Sequence, residues 1–224
     1  MHKKLNLHEL VKKTGGRYST ELGINLEKET SQEIFKWFLA SMLFGARIST
    51  TIAMHTYQAF KKHKVLTPKK MIDTGWDGLV KILDEGGYVR YDYKTATKLL
   101  DVSHNLVDQY KGNLNNVHQR ANSLIELEKL LKDLGKGVGA VTVNIFLREL
   151  RSVWPLAEPL PLENVINSAK KIHLVPNNYK NPQKILEQLK AQWIKDGGTN
   201  KSFPELEAAL IRFAKLPQKH TNRN

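Results

Sequence analysis

Residues 130–150, LLKDLGKGVGAVTVNIFLREL, constrain this chain more than any other stretch, because two apolar-periodic segments meet there across the turn Gly135-Lys136-Gly137-Val138-Gly139. Upstream, Leu124, Leu127, Leu130, Leu131 and Leu134 recur at three- and four-residue steps and so form one apolar stripe on a helix. Gly135 ends that helix. Glycine tolerates positive φ and lets another backbone approach closely, so Gly137-Val138-Gly139 can make a tight turn with its amides pointing outward at the start of a second helix. Val141, Ile145 and Leu150 supply the buried side of that helix, and Lys132, Lys136, Arg148 and Arg151 bring positive charge close by. Outward amides at a helix N-terminus among cations form an anion site. On the glycine pattern alone, the alternative is a plain αα-hairpin with a glycine cap.

Charge points the same way. Thirty-five Lys and Arg against 22 Asp and Glu give a net +13, which favours a polyanionic partner such as nucleic acid over a neutral one; solubility charge or an anionic membrane surface are the alternatives. Hydrophobic residues at 41% and charged residues at 25% are enough for a packed core, in one domain or two small ones. The chain has no cysteine, which excludes disulfides and thiolate metal sites. Its histidines show no i, i+4 pair of the kind that binds zinc on a helix, so neither metal nor cofactor is expected. The longest apolar stretch, Trp37 to Ala46, is too short to span a bilayer, and MHKKLNLHEL has no apolar signal core. An intracellular protein with no membrane partner is therefore expected.

Along the chain the reading is all-α. Residues 1–29 are polar and read as a loosely packed lead-in, with one short helix near Leu7 to Lys12. Thr30 with Glu33 fits a capping box ahead of a buried helix carrying Ile34, Phe35, Phe38, Leu39, Met42 and Leu43. Ser49 caps the next helix, which ends in Lys61, Lys62 and Lys64. Thr67-Pro68 starts a short helix to about Ile72, Trp76 to Leu83 reads as another, and a long helix opens at Lys94 and runs to about Tyr110. Trp154 to Leu162 is a proline-rich crossing that cannot be continuous helix. Helices follow at Leu162 to Ile172, Pro182 to Ile194 and Pro204 to Leu216, before a frayed tail from Gln218.

Three segments taken together, SQEIFKWFLASMLFGARIST, GGYVRYDYKTATKLL and the glycine hairpin, resemble the helix-hairpin-helix DNA glycosylase superfamily, whose best-known branch is endonuclease III. The resemblance runs from about Ser31 to Lys171. It implies a helix-hairpin-helix region over residues 30–171, with residues 172–224 packing back as C-terminal helices and two helical subdomains around a cleft. It also implies double-stranded DNA, damaged or distorted, as the partner. In such proteins the hairpin, here Gly135 to Gly139 with Lys136, grips the backbone, and the damaged base swings out of the duplex. Matched by position, Arg47 fills the gap that base leaves, with a solvent-facing or ion-paired arginine as the alternative. Lys94 joins the DNA contacts. Tyr88, Tyr91 and Tyr93 are pocket candidates through stacking, or else ordinary packing residues.

Glycosylase chemistry requires a carboxylate beside the anomeric carbon, and bifunctional members add a Schiff-base lysine. Counted from Gly137-Val138-Gly139, the lysine position is Val141, which cannot be a nucleophile; Lys136 or Lys94 would have to serve from elsewhere. The aspartate position falls at Pro159 or Leu160. Glu158 is the nearest carboxylate and is the catalytic candidate, with Glu163 as fallback. The iron–sulfur cluster that many relatives carry has no cysteine to hold it. The resemblance thus implies one of two things: a monofunctional glycosylase acting through Glu158 without lyase activity, or a non-catalytic binder of damaged or structured DNA. A basic helical scaffold for an acidic protein partner is the reading outside nucleic acids.

Overall fold

The computed structural model describes residues 6–215, which form helices and no strand. In chain order the helices are α1 (Leu7–Thr14), α2 (Tyr18–Glu21), α3 (Ser31–Phe44), α4 (Thr50–Lys62), α5 (Pro68–Glu85) and α6 (Asp92–Tyr110), then α7 (Leu114–Arg120), α8 (Leu124–Lys132), α9 (Ala140–Glu149), α10 (Glu163–Lys171), α11 (Pro182–Lys195) and α12 (Phe203–Lys215). Their starts follow the local chemistry. Thr30, Ser49, Thr67 and Asn181 each accept a backbone N–H of the turn that follows, and Pro68 and Pro182 occupy first-turn positions where no amide is needed. The capping box at Thr30 is half made. Glu33 turns its carboxylate to the Asn25 amide at 2.8 Å instead of closing on Thr30. The two short helices expected after Thr67 are the halves of α5, broken at Gly75 with φ 68° and ψ 173°.

The described residues divide into two compact units, residues 19–159 and residues 6–18 with 160–215. In the larger unit α3 is the centre, with Trp37, Phe38 and Leu39 removed from solvent. The Trp37 indole donates to Phe146 O at 3.0 Å and Phe38 meets Phe146 edge-on at 5.0 Å, so α3 and α9 are locked by both polar and aromatic contacts. α5 packs along α6, and α7 leads into the α8–α9 hairpin.

In the smaller unit α1 and α10 flank α12. Here the lead-in differs from expectation. Leu7 and Leu10 are buried, the Leu7 amide donates to Asp196 at 3.1 Å, and Arg17 gives Glu205 both its amide (2.8 Å) and its guanidinium (2.9 Å). The Arg212 guanidinium lies 3.9 Å from the Tyr18 ring centroid. Polar composition reads as loose only because the partners of these groups lie far away in sequence. Helix α10 also belongs to this unit, so the boundary falls at the proline-rich crossing and not at residue 171. Leu216 and the tail from Gln218 lie outside the described residues.

The crossing itself is pinned by Trp154. Its ring stacks on His118 at 4.8 Å and 8°, meets Phe146 edge-on at 5.4 Å, and donates to Asn115 Oδ1 at 2.9 Å. Burial holds His118 below histidine's ordinary value of 6.5, and its Nε2 is buried without a hydrogen-bond partner. The fold therefore prefers the neutral ring. The stabilisation is complete above the unfolded value and is lost as pH falls below it. Thermal melts from about pH 7 to about pH 5 should show a declining midpoint, and His118→Phe, which keeps the stack without the titration, should flatten that decline.

Candidate functional site

The hairpin begins on α8, started by Ser123, whose hydroxyl accepts the Glu126 amide at 3.2 Å, and held down by buried Leu127, Leu131 and Leu134. The turn over residues 133–139 rests on α6. A Cβ on Gly135 would stand 2.8 Å from Val102 Cγ2, one on Gly137 would stand 2.9 Å from Lys98 Cβ, and Asn105 Nδ2 donates to Leu134 O at 2.9 Å. The glycines are thus needed for close approach. None of Gly135, Gly137 and Gly139 has positive φ, contrary to the left-handed turn the sequence allows. Val138 is buried, and its amide is spent on Gly135 O at 2.9 Å.

The amides left for a ligand are those just beyond. Gly139 is the N-cap of α9 with no side-chain cap, and the first bond back into it is the Val143 N–H to Gly139 O at 3.0 Å. Gly139, Ala140 and Val141 are exposed, so the start of α9 presents unpaired N–H groups to solvent. Val141, assigned above to the buried side, is 51% exposed; Thr142, Val143, Ile145 and Phe146 face the core instead. Lys136 is exposed beside the turn, while Lys132 pairs with Glu128 at 3.6 Å. Arg148 and Arg151 do not supply surface charge. Arg148 is buried in α9, and the Arg151 side chain is enclosed against Glu158. Sequence reasoning missed Lys98, although its i, i+4 spacing from Lys94 on α6 was a readable signal.

The other predicted residues separate. Arg47 lies exposed in the α3–α4 turn, with no hydrogen bond or ion pair among the described residues. Lys94 is exposed in the first turn of α6. Tyr88 is a core residue and not a pocket wall. It is 1% exposed, its hydroxyl donates to Leu43 O at 3.2 Å, and burial pushes it up to about 12. Tyr91 is half-buried, edge-on to Tyr88 at 6.5 Å with the Arg90 guanidinium 5.5 Å from its centroid. Tyr93 is on the surface against Trp76. Glu158 accepts from Arg151 Nη1 at 2.8 Å, and Arg151 Nη2 donates to Pro159 O at 2.5 Å, which ties the carboxylate to the crossing. A surface depression of about 320 Å3 between His63, Val65, Thr74, Lys81 and Glu85 contains none of the predicted residues.

No family model matches the chain, and no curated protein sequence is significantly similar to it. Among solved structures, the H. pylori 3-methyladenine DNA glycosylase MagIII, in its complex with 1,N6-ethenoadenine, aligns over 96% of this chain and 100% of that one, at a TM-score of 0.57 and 15% identity. The fold is that of a helix-hairpin-helix DNA glycosylase. Within this glycosylase fold the hairpin stands on α6 and α9 opens with free amides, but the residue two past the last hairpin glycine is a solvent-facing valine with no amine.

The three hairpin glycines should respond differently to a methyl group. Gly135→Ala forces Val102 aside and is expected to cost roughly 1–3 kcal/mol in denaturant unfolding. A Cβ on Gly139 meets nothing within 4 Å, so Gly139→Ala should lose only the preference of an N-cap for glycine over alanine, about 0.5 kcal/mol, and less than Gly135→Ala. Equal losses at both positions would contradict the packing described.

Proposed function

We propose that this chain binds double-stranded DNA carrying a damaged or distorted base, holds one phosphodiester at the start of α9, and hydrolyses the N-glycosidic bond of that base without cutting the strand. The exposed, uncapped start of α9 beside Lys136 carries the reading. Amides without internal acceptors at the positive end of a helix suit a phosphate oxygen, and the net +13 suits a polyanion. The H. pylori protein of the same fold is a 3-methyladenine DNA glycosylase bound to 1,N6-ethenoadenine, so alkylated purines are the first substrates to assay. Lys94 and Lys98 on α6 extend the phosphate contacts, and Arg47, with no hydrogen bond or ion pair among the described residues, fills the place of the displaced base.

Hydrolysis breaks the bond from C1′ to the base nitrogen, the base leaves with the electron pair, and water attacks C1′ after losing a proton. Glu158 is the carboxylate assigned to stabilise the positive sugar and to receive that proton, with Arg151 orienting it. No Schiff base forms through Val141. A second reading, a non-catalytic binder of damaged or structured DNA, is favoured by the Arg151–Glu158 pair itself, because that contact also ties down Pro159 and gives both side chains a structural role.

Two measurements test this. Affinity for duplex DNA should fall with salt at a slope of about −0.9 per phosphate contacted, and Lys136→Ala should shallow the slope by about that amount; a salt-independent affinity would end the DNA assignment. On oligonucleotides bearing alkylated purines, base release that Glu158→Gln abolishes supports the enzyme, and binding without release supports the second reading. Borohydride should trap no covalent complex in either case.

A further inference from the structure

Aromatic residues in this chain are buried with few exceptions, and two of the exceptions touch. Trp76 is 39% exposed and Tyr93 61% exposed, whereas Trp37, Trp154 and Trp193 are all buried. The Trp76 and Tyr93 rings lie 5.3 Å apart at 34°. They are held in place. Trp76 Nε1 donates to Thr97 Oγ1 at 3.0 Å, and that hydroxyl donates to Tyr93 O at 3.0 Å. The backbone aims the indole as well. Gly75, in positive φ, breaks α5 immediately before Trp76, and since a Cβ there would meet nothing within 4 Å, the glycine serves the turn and not a close contact. The result is a fixed aromatic shelf whose one indole donor is already used.

We propose that this shelf stacks one unpaired nucleobase of the DNA strand that the hairpin holds. The inference rests on the proposed DNA binding and adds a second contact to it, outside any pocket for a damaged base. Its position carries the argument. Tyr93 and Thr97 form one row on α6, Lys94 and Lys98 form the next row about 100° round the helix, and the Lys98 stem packs on Gly137 of the hairpin. Shelf and hairpin are therefore borne by adjacent rows of one rigid helix, on the order of 10 Å apart by a helix diameter. That spacing is about three base steps of 3.4 Å along a strand.

The chemistry selects a base over a phosphate at the shelf itself. Asp77 follows Trp76 in the chain, and Asp92 precedes Tyr93 and accepts its amide at 2.7 Å, so the immediate edge of the shelf repels phosphate while the neighbouring lysine row attracts it. An aromatic face next to a basic track is how single-stranded nucleic acid is held without reading its sequence. With the indole N–H spent on Thr97, the shelf has little means of discriminating among bases. An unpaired overhang or a gap flanking the gripped duplex is the DNA that fits.

Trp76 reports its own occupancy, because the other three tryptophans of the chain are buried. The test compares a blunt duplex with the same duplex bearing a short single-stranded overhang, in fluorescence titrations with acrylamide as quencher. The overhang DNA is expected to bind on the order of tenfold more tightly and to shield Trp76 from acrylamide. Trp76→Ala with Tyr93→Ala should erase that gain while leaving blunt-duplex affinity as in the parent. Tyr93→Ala alone, at a side chain largely in solvent, should lessen the gain if the double variant does not fold. Equal affinity for both DNAs with unshielded Trp76 overturns the shelf and leaves DNA binding standing. Loss of salt-sensitive binding to the blunt duplex by the parent protein overturns both.

Discussion

The close contact between the hairpin turn and α6 governs the rest of the site. Two glycines let the turn sit on Val102 and on the stem of Lys98 at distances no Cβ would permit, and Asn105 closes the contact through Leu134 O. Because α8 and α9 leave this turn in fixed directions, the contact determines where the first amides of α9 point. It also sets the Lys98 stem against Gly137. The same helix carries Tyr93 and Thr97, so the hairpin turn and the Trp76 ring share one support. Close-packed elements of this kind transmit position with little slack.

A second fastening acts on the proline-rich crossing. Residues 151–162 contain no helix, so their geometry depends on individual contacts. Trp154 is held by His118, Phe146 and Asn115, and Arg151 reaches Glu158 and Pro159 O. This accounts for the burial of Arg151, which charge counting would place on the surface. A guanidinium enclosed beside a carboxylate and a carbonyl holds an irregular segment in place, at the expense of positive charge at the surface. The basic surface near the hairpin is accordingly lysine, from Lys136, Lys94 and the Lys98 row.

A fold shared at 15% identity rests on apolar pattern and turn chemistry more than on residue identity. Here that fold is held by an aromatic-rich α3 locked to α9, a glycine hairpin on α6, and an uncapped start to α9. Two residues past the last hairpin glycine stands a solvent-facing valine, and Glu158 in the crossing is engaged with an arginine. Function follows from such sites and not from the fold alone.

Much of the architecture is local and was legible in the sequence. Leucine spacing marked α8, Thr30, Ser49 and Thr67 marked helix starts, the pattern broke between Ile72 and Trp76 where α5 does, and the prolines from residue 155 to 161 excluded helix from the crossing. These signals lie within a turn or two of the residues they govern, so no distant partner is required to read them. The direction each surface faces was different. Tyr88 in the core rather than at a pocket, and residues 7–17 stitched to α11, α12 and their connection, were decided by partners far off in sequence, among them Leu43, Glu205 and Asp196. Val141 exposed rather than buried, and Arg148 and Arg151 enclosed, were decided by how α9 and the crossing are packed. Periodicity says that a helix has two faces. Only the packing of other helices against it says which face meets water, and for an amphipathic side chain such as tyrosine or arginine that difference decides whether it serves the core or a ligand.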